Sequence, residues 1–247
     1  MKYVGSKDRH AKEILGAMLK EIGSNAWANT QYENWIEPFV GGANMIAKVP
    51  RFFSGIYGAD INPYVIAMFQ AVQKGWVPPD SISEEEYQRL KANSDHFIED
   101  EAPLRGFVGI GCSYSGKWFG GYARGNANNG QPRNYCLESK KNLLKQKPNI
   151  IDVKFICSDY RALTIPINGL SIIYCDPPYE NTTKYLHSIQ HKDFWDWCEA
   201  QSQRGHKVFV SEYQAPEGWR CVWQKEVNNS LTKETGSKQG IEKLFTK

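Results

Sequence analysis

The chain has 247 residues, 41% of them hydrophobic, with six cysteines and a formal net charge of +3. That length supplies one large domain, or one domain carrying an inserted piece, and is enough for a full enzyme core. The longest apolar runs, such as Leu170 to Cys175, fall far short of the roughly 20 residues that span a bilayer, and the N-terminus turns polar at once, so the expectation is a cytoplasmic protein without membrane attachment.

Residues 11–22 place Ala11, Ile14, Leu15, Met18, Leu19 and Ile22 at three-and-four spacing. This predicts an amphipathic helix stopped by Gly23 and capped by Ser6 or Asp8. A short strand at Trp35 to Glu37 follows, then a Pro/Gly turn, a short helix through Met45 and Ile46, and a strand at Ile56 to Asp60. Asn62 and Pro63 have the chemistry of an N-cap and a first-turn proline, and so open another helix.

From Gly75 to Asn149 the alternation breaks into acidic helical segments, a Gly/Asn/aromatic stretch and a basic helix at Ser139 to Lys147. It resumes with strands at Val153 to Cys157 and Leu170 to Cys175, a helix at His191 to Gln203, and strands at Lys207 to Glu212, Arg220 to Gln224 and Ile241 to Phe245. This is the pattern of an α/β domain made of residues 1–74 and 150–247, with residues 75–149 inserted. Its ligands are expected beyond the C-terminal strand ends.

Charge is sharply divided within the insertion. Residues 80–101 carry eight acids against Arg89 and Lys91, and residues 117–147 carry seven bases against Glu138. The acidic piece reads as a solvated helical face. The basic piece interleaves Lys117, Arg124, Arg133, Lys140, Lys141, Lys145 and Lys147 with Tyr114, Trp118, Phe119, Tyr122 and Tyr135, residues that neutralise phosphates and stack on or wedge between bases. Arg124, Asn126, Asn128 and Arg133 have side chains able to bond base edges. The cysteines never form a close pair, so buried reduced thiols are expected and no metal site.

The sharpest local signal is Asp176-Pro177-Pro178-Tyr179, directly after the apolar run 170–175. A proline turn capping a strand is the plain explanation. A chemical one is that a nucleobase amine is a poor nucleophile because its lone pair is delocalised into the ring. The Asp176 carboxylate and the Pro177 carbonyl would accept its two N–H bonds and localise that pair. The fixed φ of proline holds the carbonyl in place, and Tyr179 would stack on a base taken out of the duplex.

In its ordered motifs the sequence resembles the Dam-like (alpha-group) adenine-specific N6 DNA methyltransferases. Tyr3-Val4-Gly5-Ser6-Lys7 is similar to that family's N-terminal motif, Glu37-Pro38-Phe39-Val40-Gly41-Gly42 to its glycine loop, and Ala59-Asp60-Ile61-Asn62 to its acidic strand end. Ser158-Asp159-Tyr160 and the tetrapeptide at 176–179 follow in the family's order, while Ala43 stands where the family has a final glycine.

The resemblance implies an S-adenosylmethionine-dependent methyltransferase (Rossmann-like) fold with a mixed, mostly parallel sheet. It makes residues 75–149 the target-recognition region and double-stranded DNA the partner; a monomer is the default expectation. Cofactor binding would fall to Tyr3, Lys7, Glu37, Pro38, Phe39, Gly41, Gly42, Asp60, Ile61, Asp159, Tyr160 and Asp176. Within that set Asp60 would take the ribose hydroxyls, Asp159 the adenine amine and Lys7 the methionine carboxylate. Catalysis would fall to Asp176, Pro177, Pro178 and Tyr179, and DNA contact to Lys117, Trp118, Tyr122, Arg124, Asn126, Arg133 and Lys140.

The reaction so implied is methyl transfer to the N6 of a flipped adenine. Cytosine N4, RNA or a protein glutamine as acceptor stays open on the residues alone, as does a non-catalytic DNA-binding module of the same fold.

Overall fold

The computed structural model describes residues 1–23, 27–92, 96–164, 169–179, 189–228 and 239–247. It has the expected α/β architecture, with a mixed, mostly parallel sheet of seven strands. The chain forms two compact units. One comprises Met1–Arg9, Val40–Val49 and Tyr57–Leu163; the other comprises His10–Phe39, Pro50–Ile56 and Thr164–Lys247.

In the second unit, β1 (Tyr32–Glu37), β4 (Leu170–Cys175) and β5 (Lys207–Glu212) run parallel in that order. Beyond β5 lie β7 (Gln239–Thr246) and β6 (Arg220–Asn228), both antiparallel to their neighbours. In β4 and β5 every residue after the first is buried, as for parallel strands covered on both faces. Helix α1 (Ala11–Glu21) packs on β6 and helix α6 (His191–Gln203) on β5. Trp35, Tyr174, Phe194 and Phe209 fill the interior, and burying an aromatic side chain of this size contributes about 3 kcal/mol. The N-cap of α1 is His10, which makes no side-chain cap bond, rather than the expected Ser6 or Asp8.

In the first unit the Tyr57–Asp60 part of β2 (Gly55–Asp60) pairs in parallel with β3 (Lys154–Cys157), from Tyr57 opposite Lys154 to Asp60 opposite Cys157. Helix α2 (Pro63–Gln73) starts as expected: Asn62 Oδ1 accepts the N–H groups of Tyr64 and Val65, and Pro63 occupies the first turn. The 75–149 stretch builds α3 (Glu84–Ala92), α4 (Ala102–Gly111) and α5 (Tyr135–Gln146), all within this unit.

Helix α4 has no counterpart among the expected elements, and it carries three glycines, residues of low helix propensity. They are contact points. A Cβ at Gly106 would lie 2.1 Å from the Tyr64 carbonyl oxygen, one at Gly109 2.6 Å from the Trp118 ring, and one at Gly111 2.9 Å from Ser139 Cβ. The cost of about 1 kcal/mol per helical glycine is offset by close packing: Gly106 lets α4 approach α2, Gly109 makes room for the Trp118 ring and Gly111 lets α4 approach α5.

Candidate active site

The tetrapeptide 176–179 leaves the C-terminal end of β4, a strand whose residues Ser171 to Cys175 are buried. Asp176 is half-buried, Pro177 buried and Tyr179 half-buried with its hydroxyl end covered. The Tyr179 ring meets that of Tyr213 edge-on, with centroids 4.7 Å apart at 79°. Burial first, then the nearby Asp176, Glu242 and Glu212 carboxylates, push the Tyr179 hydroxyl well above its ordinary range, so it stays neutral. The Cys175 thiol just before the motif is pushed up by burial and by its neighbour Cys198, which leaves it unreactive.

At the end of β1, buried Glu37 accepts the Trp35 indole N–H at 2.9 Å. Pro38 is buried, and Phe39 packs edge-on against Phe194 of α6 at 5.6 Å. Glu212 was not singled out in the sequence; it ends β5, is 3% exposed, and accepts the Tyr213 N–H at 2.7 Å. An acid that ends an apolar strand was its only signal.

The first unit gathers Tyr3, Lys7, Gly41, Gly42, Asp60, Ile61, Asp159 and Tyr160. Asp60, at the end of β2, accepts the Gly41 N–H on Oδ2 and the Asn62 N–H on Oδ1, each at 2.9 Å. Gly41 has φ +47°, and a Cβ there would fall 2.8 Å from the Tyr3 ring; one on Gly42 would fall 2.7 Å from Tyr3 Cβ. Tyr3 is therefore one reason both positions lack a side chain. Ala43, in the place of the family's final glycine, is itself at φ +53°, a conformation that costs a residue with a Cβ about 1–2 kcal/mol. Gln146 of α5, a further residue absent from the sequence expectations, donates to the carbonyls of Gly42 and Ala43 at 3.0 and 2.6 Å.

Lys7 is 5% exposed and donates to the Gly5 carbonyl at 2.9 Å. Asp159 is held by Arg161, whose backbone N–H, Nε and Nη2 reach its two carboxylate oxygens at 2.8–2.9 Å. Tyr160 is buried and Ile61 is exposed. Cys157 and Cys221 are also exposed, which corrects the expectation of six buried thiols; the other four are buried, and all six are free.

In the insertion the expected DNA-contact residues differ in their surroundings. Trp118 stacks on Tyr64 at 5.6 Å, and the Tyr122 hydroxyl donates to the Ile82 carbonyl, so both rings serve the packing of this unit. Arg124 pairs with Glu84, Arg133 Nε donates to Glu138 at 2.9 Å, and Lys140 donates to Asp80 at 2.7 Å. The acidic piece is thus more than a solvated face, since Asp80 and Glu84 each hold a base of the basic piece. Lys117, Lys141 and Lys145 are exposed and make no ion pair among the described residues.

Residues 124–134 are all exposed and form a small hairpin, closed by Arg133 N–H to Gly125 O at 2.9 Å and Ala127 N–H to Gln131 O at 2.8 Å. It presents Asn126, Asn128 and Asn129. The C-terminal run Asn228 to Lys243 resembles a family loop near DNA; its Lys233 and Lys238 lie outside the described residues, and its Lys243 lies in β7.

Among the described residues no group of three or more His, Cys, Asp or Glu converges as a metal site would, and no helix is long and apolar enough to cross a membrane. No curated protein matches the sequence. The solved structure of a Haemophilus influenzae protein described as a methylase aligns over 96% of this chain and 86% of its own, at 8% identity and a TM-score of 0.34. A family model of D12 class N6 adenine-specific DNA methyltransferases matches residues 3–107 and 120–241. The motifs thus stand in a match that spans most of the chain, which belongs to the D12 class N6 adenine-specific DNA methyltransferase family and is an enzyme that methylates adenine in DNA.

Proposed function

We propose that the methyl donor is S-adenosylmethionine and that the acceptor is the N6 of an adenine flipped out of double-stranded DNA. The observation that carries this reading is the tetrapeptide 176–179 at the end of a buried parallel strand, where ligands of α/β folds are held. Asp176 and the Pro177 carbonyl accept the two N–H bonds of the amine and localise its lone pair. Tyr179 stacks on the extruded ring, an interaction of about 1–3 kcal/mol that offsets a flipping cost of similar size. The surplus proton leaves to water after transfer, so Asp176 acts as an acceptor in place and the rate gain comes from positioning and electrostatics.

The donor supplies an electrophilic sulfonium methyl. The chemistry of the residues fits it: a carboxylate offers about four acceptor positions, enough for Asp60 to hold the Gly41 and Asn62 N–H groups and to take ribose hydroxyls as well. Asp159 would accept from the donor's adenine amine, and Lys7 and Tyr3 would border its methionine end; Glu37, Pro38, Phe39, Gly41, Gly42, Ile61 and Tyr160 are further proposed donor contacts.

Residues 75–149 are the target-recognition region and residues 1–74 with 150–247 the catalytic domain, in a protein acting as a monomer in the cytoplasm, where its DNA is. The exposed hairpin 124–134 supports that division, since it carries Arg124, Asn126, Asn128 and Arg133 on a projecting turn. Trp118 and Tyr122 shape the base of the region, and Lys117 and Lys140 meet phosphates.

Transfer of labelled methyl from S-adenosylmethionine to unmethylated duplex DNA, with Asp176→Ala alongside and nucleoside digestion of the product, tests the reading. Label in N6-methyladenine with the intact protein alone is expected. Undiminished transfer by Asp176→Ala, or label in another nucleoside, would refute it.

A further inference from the structure

We propose that Glu212 and Tyr213 are positioning residues for methyl transfer, a two-residue brace that sets the plane of the Tyr179 ring on which the flipped adenine stacks. The inference rests on the stacking role given to Tyr179 above.

Glu212 is the last residue of β5, where an acidic side chain would ordinarily turn to water. Instead it is 3% exposed, and carboxylates are seldom so buried unless held by partners. Its Oε1 accepts the Tyr213 N–H at 2.7 Å, and its Oε2 lies 3.9 Å from Nδ1 of His191, the first residue of α6. The carboxylate thus ties the chain leaving β5 and fixes the direction in which Tyr213 departs. Tyr213 in turn meets Tyr179 edge-on, with ring centroids 4.7 Å apart at 79°, one of the two arrangements aromatic rings prefer.

The β4–β5 register places Cys175 opposite Val210, so Asp176 and Glu212 leave the same sheet edge one and two residues later. A base stacked on a tilted Tyr179 would present its amine off the line between Asp176 and the methyl group, and a displacement of about 1 Å costs on the order of 100-fold in rate. The electrostatic influence of Glu212 and Tyr213 on the Tyr179 hydroxyl is consistent with this closeness.

The test measures single-turnover methylation of saturating duplex DNA and S-adenosylmethionine affinity for Tyr213→Ala, Tyr213→Phe, Glu212→Ala and Glu212→Gln. Tyr213→Ala and Glu212→Ala are expected to lower the rate about 10- to 100-fold while donor affinity stays within about twofold. Tyr213→Phe, which keeps the ring, and Glu212→Gln, which keeps an acceptor for the Tyr213 N–H, are expected to recover most of it. The double alanine variant should be no slower than the worse single one, because both act through one ring.

Wild-type rates in Tyr213→Ala would overturn the proposal. So would a joint loss of rate, donor affinity and melting temperature in Tyr213→Ala that Tyr213→Phe shares, since that would mark a structural role alone. A wild-type protein that failed to methylate DNA would instead overturn the underlying reading, and the brace with it.

Discussion

The strand ends and the insertion hold charge in opposite ways. Asp60 at the end of β2 and Glu212 at the end of β5 accept backbone N–H groups, from Gly41 and Asn62 and from Tyr213. In the insertion, Asp80, Glu84 and Glu138 are bound by the flexible side chains of Lys140, Arg124 and Arg133, at least partly in contact with water. A carboxylate anchored to backbone is fixed in position and suits a site where geometry sets the rate. A surface ion pair contributes about 0–1 kcal/mol, so its cation can exchange a carboxylate for a phosphate at little cost.

The largest effect that sharpens this contrast is at the strand end. Asp176→Ala should lower the methylation rate by about 100- to 1000-fold, the usual result of removing one electrostatic contact to the reacting group; a fall below tenfold in single-turnover assays would break the assignment. Next is the packing under the insertion. Gly106→Ala forces a Cβ onto the Tyr64 carbonyl and should destabilise by about 3 kcal/mol, lowering the melting temperature by about 6–12 °C. A melt within about 2 °C of wild type would mean that α4 and α2 do not need this close approach.

The insertion's own charges should act through salt dependence rather than rate. Lys141 and Lys145 are exposed and without an ion pair among the described residues, so replacing both with alanine should lower the salt slope of DNA binding by about 2. Lys140→Ala, which removes a base already held by Asp80, should change the slope by less than one such contact. Equal effects would show that the Asp80 pair does not compete with phosphate. Smallest is Ala43→Gly, which relieves a positive φ and should raise stability by about 1 kcal/mol, read as a melting temperature about 2–4 °C higher. A lower melting temperature would show that the methyl group's packing outweighs the strain.

Where local chemistry and tertiary context agreed, the sequence was legible. Strands β4 and β5 and helix α6 lie where the apolar runs and spacing predict, and the Asn62-Pro63 start is written in side-chain chemistry alone. Helix α5 begins earlier than expected, at Tyr135, because Asn134 accepts the Leu137 N–H and supplies a cap that the basic spacing does not reveal. Helix α4 was hidden altogether, since glycine's low propensity is a local property and its value to close packing is not.

The same division holds for the candidate site. Ordered short motifs at strand ends and glycine turns were enough for the sequence by itself to determine the α/β class and the family and to single out the tetrapeptide 176–179 as the proposed catalytic motif, because backbone geometry at such places permits few residue types. Only the tertiary structure decided that Tyr3 packs on Gly41 and Gly42, that Gln146 bonds the carbonyls of the glycine loop, that Arg161 holds Asp159, and that Glu212 and Tyr213 stand beside Tyr179. It also decided that Asp80 and Glu84 pair with Lys140 and Arg124. The physical reason is range: most of these partners lie between 34 and 104 residues apart, and even the neighbouring pairs depend on a backbone direction and burial that the folded chain imposes.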